Sequence, residues 1–173
     1  LNMLKRIGAE ESGELKAIAS GTLPSGKPVI VNADGTVSVV AESSDSVGSP
    51  VVYSTGNAQL NRAAFDSSNN KVVFVYQDGA NSSYGTVVIG TVSGNSISFG
   101  TPVVFASATT YYPSVAFDSS NNKIVVAAGE ASGGEGYNAG RARVGTVSGT
   151  SISFGTKAAF ESGNTQHING CFD

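Results

Sequence analysis

Arg141 and Arg143 stand two residues apart, so in an extended strand both guanidinium groups project from one face. Glu130 and Glu135 lie just upstream in "GEASGGEGY". Together these four residues could form a binding edge or a subunit contact. They could equally form a solvated, salt-bridged strand edge, which resists aggregation and in which exposed ion pairs contribute little. Tyr84, Tyr111, Tyr112 and Tyr137 fall in or near segments that read as loops. Tyrosine offers a large contact area at low entropic cost, which suits stacking on a sugar or a protein partner. The plainer reading is a ring that covers a sheet edge.

Other reactive residue types give less. His167 is the only histidine, so any Ser-His-Asp arrangement would have to use it, and its setting reads as an ordinary loop or strand position. "NADGT" (32–36) and "QDGANSS" (77–83) place Asp beside Gly. A calcium loop needs several oxygen ligands at alternate positions, which neither stretch supplies, so both read as turns. The acidic residues lie mostly in turns, and no pair carries a burial argument for glycoside hydrolysis. The lone Cys171 excludes an internal disulfide and a Cys-rich metal site, and reads as a small buried residue. No catalytic residue, metal or cofactor is expected from these patterns.

The elements that would position these residues come from a repeat. "AFDSSNNK" occurs at 64–71 and again at 116–123, and "GTVSGNSISFGTPVVF" (90–105) returns as "GTVSGTSISFGTKAAF" (145–160). Phe65 to Phe117 is 52 residues and Phe117 to Phe172 is 55. Tyr53, Phe105 and Phe160 keep the same spacings. One period reads as four strands: "RAAFD", "KVVFVYQ", "GTVVIGTV" and "SISFGTPVVF". Asn and Gly in the joining turns supply the positive φ that tight hairpins need, and Asp66 and Asp118 fix their own turns by Asx-type hydrogen bonds. "VVFVY" and "IVVAA" are continuous apolar runs, suited to strands covered on both faces. "SISF" alternates, so one of its faces is wet. A four-stranded repeat of this length with an inner-to-outer polarity gradient predicts β-propeller-like blades stacked on each other. The expected layout is two full repeats (51–102 and 103–157) and a partial third (158–173) within a repeat domain spanning 50–173. The third copy is expected to continue in further chain, since a break inside the unit leaves an unpaired strand edge; completion by a neighbouring subunit and an open stack are the alternatives.

Residues 1–49 do not match the repeat. "MLKRIGAEESGELKAIAS" permits a short helix weakened by internal glycines. "PVIVN", the turn "ADG" and "TVSVV" predict a hairpin, and the polar stretch 41–50 a linker. This segment reads as an adaptor or docking piece ahead of the repeats. Charged residues make up 13% of the chain, about half of the ~25% usual in soluble proteins, and the net charge is −3. That balance argues against nucleic acid as a partner. No apolar run reaches the ~20 residues that span a bilayer, so no membrane insertion is expected.

With "GTLPSGKPVIVNADGTVSVV" in front and "AFDSSNNKVVFVYQDG…YGTVVIGTVSG.SISFG" behind it, the chain resembles virion proteins of tailed phages, especially marine and cyanobacterial ones. The resemblance covers nearly all of the chain from about Gly21 onward. It implies a structural, non-enzymatic protein on the particle exterior, made in the host cytoplasm. Such a protein is a tail fibre or tail-tip component contacting the host surface, or a capsid decoration or head-fibre protein. It implies other virion proteins as partners through the N-terminal segment, several copies per particle, and a host surface glycan or protein as a further contact. The second repeat departs from the pattern at "GEASGGEGYNAGRAR", where the Asp-Gly…Tyr-Gly-Thr wording is lost. From a different class, a carbohydrate-binding or carbohydrate-active propeller would show converging carboxylates and aromatic platforms. The absence of Trp and the scarcity of acids in strands count against that reading.

Overall fold

A computed structural model describes residues 17–40, 47–131 and 138–172. The described residues form twelve strands and no helix. Backbone contacts divide the chain into two units, 1–46 and 47–173.

In the first unit, β2 (Val29–Val31) and β3 (Thr36–Val39) form the expected antiparallel hairpin, with Val29 opposite Val39. Its turn is held by Asp34, whose carboxylate accepts from the Thr36 N–H at 2.9 Å and the Thr36 hydroxyl at 2.7 Å. These bonds hold the Asp34 carboxyl below its ordinary value. The short strand β1 (Ile18–Ala19) adds parallel to β3. The helix expected over 3–20 falls mainly outside the described residues, and its last part is this strand instead.

The second unit carries the repeat. Repeat 1 consists of β4 (Ala58–Asp66), β5 (Lys71–Asp78), β6 (Tyr84–Ser93) and β7 (Ser96–Phe99). Repeat 2 consists of the second half of β8 (Val103–Asp118), β9 (Lys123–Ala131), β10 (Asn138–Ser148), β11 (Ser151–Phe154) and β12 (Ala158–Glu161). All neighbours in this unit are antiparallel. The first half of β8 pairs with β6 beside β7, so the fourth strand of repeat 1 is split at residues 100–102. The same β8 then runs on, without a break, as the first strand of repeat 2.

The two repeats agree in register. Phe65 faces Val72 as Phe117 faces Ile124, and Val73 faces Ile89 as Val125 faces Val144. Gly85, Thr86 and Val87 face Ala106, Val104 and Val103 just as Gly140, Arg141 and Ala142 face Glu161, Ala159 and Ala158. The turns match as well. Asp66 Oδ1 accepts from Ser68 N–H at 3.1 Å and Asn69 N–H at 3.0 Å, while Asp118 Oδ1 accepts from Ser120 and Asn121 N–H, both at 3.0 Å. Asn70 and Asn122 close these turns at φ 52° and 53°, a conformation that asparagine tolerates better than most residues.

Repeats 1 and 2 pack face to face. Val73, Val75, Val87 and Ile89 of repeat 1, each at most 1% exposed, meet Val115, Ile124, Val126, Ala128, Val147 and Ile152 of repeat 2 in one core. The side of repeat 1 in this core is called the front face, and that of repeat 2 the back face. Phe105 from β8 closes the outer end of the core. A Cβ on Gly85 would lie 2.5 Å from the Phe105 ring, so this position admits only glycine while the ring stays in place. Gly140 meets Phe160 at the same 2.5 Å, but Phe160 is 53% exposed and free to swing away.

Gly85→Ala is therefore expected to destabilise the protein by about 1–3 kcal/mol. Gly140→Ala should cost under about 1 kcal/mol, and paired urea denaturation curves check the contrast. The hydrogen bonds to Asp118 from Asn121 and Ser120 hold its carboxyl below the ordinary value of 3.8. Its contribution to stability is present above pH 3.8 and lost as pH falls below 3.8 through the folded-state value. A carboxyl-carbon NMR titration should place the Asp118 midpoint under 3.8.

Candidate functional site

Arg143 and Glu130 meet, but not at a solvated edge. Arg143 is 8% exposed and Glu130 4%, and the guanidinium forks onto the carboxylate, with Nη2 donating to Oε2 at 3.1 Å. β10 carries Arg143 opposite Val126 of β9, and Glu130 lies four residues further along β9, on the same back face. Lys157 Nζ reaches Glu130 Oε2 at 3.5 Å from the exposed side. The Arg143 guanidinium also lies 5.8 Å from the centre of the Phe105 ring, a cation–π contact.

A comparison of the repeats explains the pair. In repeat 1 the corresponding site is aromatic. Tyr53 packs on Phe74, Tyr76 and Phe99 at 5.6, 5.4 and 5.6 Å, and Val88 lies buried beneath. In repeat 2, Phe74 becomes Val126 and Tyr76 becomes Ala128, while Phe105 and Phe154 keep their contact at 6.2 Å. The volume lost at Val126 and Ala128 is taken by the Arg143 side chain, which replaces Val88, and Glu130 neutralises its charge.

Arg141 is half-buried, and its Nη1 donates to the Glu161 carbonyl at 3.5 Å. Glu135 and Tyr137 lie outside the described residues. Tyr84 opens β6, and Tyr111 and Tyr112 sit inside β8, all three half-buried. The structure thus joins Glu130 to Arg143 and leaves Arg141 and the described tyrosines apart from that pair. Cys171, expected to be buried, is exposed. It occupies the position of Ala64 and Ala116, and of these Ala64 packs against the core shared with repeat 2.

One set of positions gave no sign in the sequence. Leu60, Tyr112 and His167 are equivalent by the repeat offsets, and all three adopt positive φ, at 55°, 48° and 51°. Bulky residues are rare there. At Leu60 and Tyr112 the strand register shifts, so each is the bulged residue of its first strand. The Tyr112 and His167 rings then lie 4.9 Å apart, one repeat above the next. Glycine or asparagine would have signalled such a conformation, and none stands at any of the three positions. Among the described residues, no group of three or more His, Cys, Asp or Glu side chains is arranged to hold a metal ion.

No protein-family model matches the chain, and neither the curated proteins nor the solved structures hold a match to it. The class is therefore set by the geometry alone: an all-β protein of tandem antiparallel repeats.

Removing one partner of a buried ion pair leaves the other uncompensated. Arg143→Ala is expected to cost about 3–5 kcal/mol. The double replacement Arg143→Met with Glu130→Leu should recover most of that loss, since apolar residues of similar volume substitute well for buried pairs. Thermal unfolding of the single and double variants checks both values.

Proposed function

We propose that this chain is a non-enzymatic structural protein on the exterior of a tailed-phage virion, a tail fibre or tail-tip component whose repeats are propeller-like blades. The N-terminal unit attaches it to other virion proteins, and the repeats project outward, where they contact the host surface. One observation carries this reading: repeats 1 and 2 bury an apolar face by stacking on each other, an arrangement suited to a projecting modular element. The sequence likeness to virion proteins from Gly21 onward supports it. The buried setting of Glu130 and Arg143 agrees with a structural role for the most chemically distinctive pair in the chain. Among the described residues, no helix is long and apolar enough to cross a membrane.

The test is fractionation. Peptides of this chain should co-sediment with intact virions and follow the tail when particles are broken into heads and tails. Recovery with the heads would reassign it to capsid decoration. Recovery only in the particle-free supernatant would reject the virion reading.

A further inference from the structure

The two outer faces of the repeat stack are exposed in part, with Tyr76 and Val88 on the back of repeat 1 still buried, and each is a copy of a face that is buried inside. Ile89 on the front of repeat 1 is 1% exposed, whereas its equivalent Val144 on the front of repeat 2 is 50% exposed. The opposite end shows the converse. Val147 on the back of repeat 2 is 7% exposed, and its equivalent Val92 on the back of repeat 1 is 50% exposed. Phe117 packs against the core, while its equivalent Phe65 is exposed. The front of repeat 2 therefore presents the chemistry that a back face covers, and the back of repeat 1 presents the chemistry that seats on a front face.

The segments beside these faces are also duplicates. "PVVYSTGNAQLNRAAF" (50–65) and "KAAFESGNTQHINGCF" (157–172) align without a gap at an offset of 107 residues. The second segment already follows the path of a first strand. Thr165 N–H donates to the Asn138 carbonyl at 2.8 Å, as Thr110 N–H does to the Ser83 carbonyl at 2.9 Å. His167 takes the left-handed conformation of Leu60 and Tyr112, and Gly170 N–H donates to Ser114 Oγ at 2.9 Å. Yet among the described residues no strand pairs with 165–172, and a cavity of about 120 Å³ remains between it and Ser114, Ala116, Val125 and Ala127. At the other end, residues 50–54 pack Tyr53 on repeat 1 but belong to no strand.

We propose that the chain associates head to tail with a second copy of itself. The front of repeat 2 in one copy takes the back of repeat 1 in the next, and residues 157–172 of the first copy replace residues 50–65 of the second. Residues 165–172 then pair with β5 of the neighbour, where β4 pairs within a single chain. β12 keeps its place on β10 and presents Phe160 to the neighbour's Phe74, Tyr76 and Phe99 in the position held by Tyr53. The pairing of β4 with β5 and the packing place of Tyr53 are both exchanged like for like, so the gain is the burial of Val144, Val125 and Ala127. The contact joins unlike surfaces, so it continues into a ring or an open series of copies. This inference stands on the repeat packing and not on the virion reading; a monomeric protein would leave the fractionation experiment untouched.

The test is sedimentation of the full chain across the micromolar range, with Cys171 as reporter. The expected result is a mass that rises above 17.4 kDa with concentration, while Cys171 loses reactivity toward a thiol reagent in step. Val144 is exposed in the single chain, so Val144→Lys should keep the wild-type circular dichroism and melting temperature. The same substitution should weaken association by at least about a hundredfold, because the junction would bury an unpaired ammonium. A constant mass of 17.4 kDa, association indifferent to Val144→Lys, or unchanged Cys171 reactivity in the associated form would each overturn the proposal.

Discussion

The seating of one repeat's front face on the next repeat's back face is the interaction on which the rest of this structure depends. A sheet with valines and isoleucines on both sides of β5 and β9 has no stable solvated form of its own. Each such side chain contributes about 1.5–3 kcal/mol when fully buried. Val73, Val75, Val87 and Ile89 together therefore outweigh any single turn or ion pair in the chain. The Gln77 side chain adds a directional element, donating to the buried Thr110 carbonyl of the following repeat at 2.7 Å. The neighbouring turns touch as well, with Asn69 Nδ2 at 3.4 Å from Asn122 Oδ1.

This interface also sets the environment of the polar residues. The same turn is nearly sealed at Asp66, which is 1% exposed, and less covered at Asp118, which is half-buried. Arg143 and Glu130 are buried because a second sheet lies over them; on an isolated sheet they would be the exposed edge pair that their spacing suggests. The burial of a residue in this protein is thus a property of its place in the stack as much as of its type.

The fold was legible where chemistry repeats. The two copies of "AFDSSNNK", the fixed spacing of Tyr53, Phe105 and Phe160, and the apolar runs of β5 and β9 located the strands and turns. The Asx turns at Asp66 and Asp118 followed from residue type alone. Less could be read where a neighbouring repeat decides. The sequence places Glu130 near Arg143, but their burial follows from the smaller Val126 and Ala128, a change visible only once the packing is known. The bulge at Leu60, Tyr112 and His167 carries no glycine to announce it, because the surrounding strands impose the conformation. Cys171 reads as buried from its alignment with Ala116, and the structure exposes it, because burial follows from packing between repeats and not from residue type.

β8 has a consequence of a different kind. Its 16 residues belong to both repeats, paired first with β6 and then with β9. Repeats in most stacked proteins are coupled through side chains and can fray one at a time. Here a single strand is hydrogen-bonded into both sheets, so peeling either repeat away strips a ladder from the other. Melting should be one cooperative event for the pair, and a pull along the chain would be carried by the backbone ladders of both sheets at once.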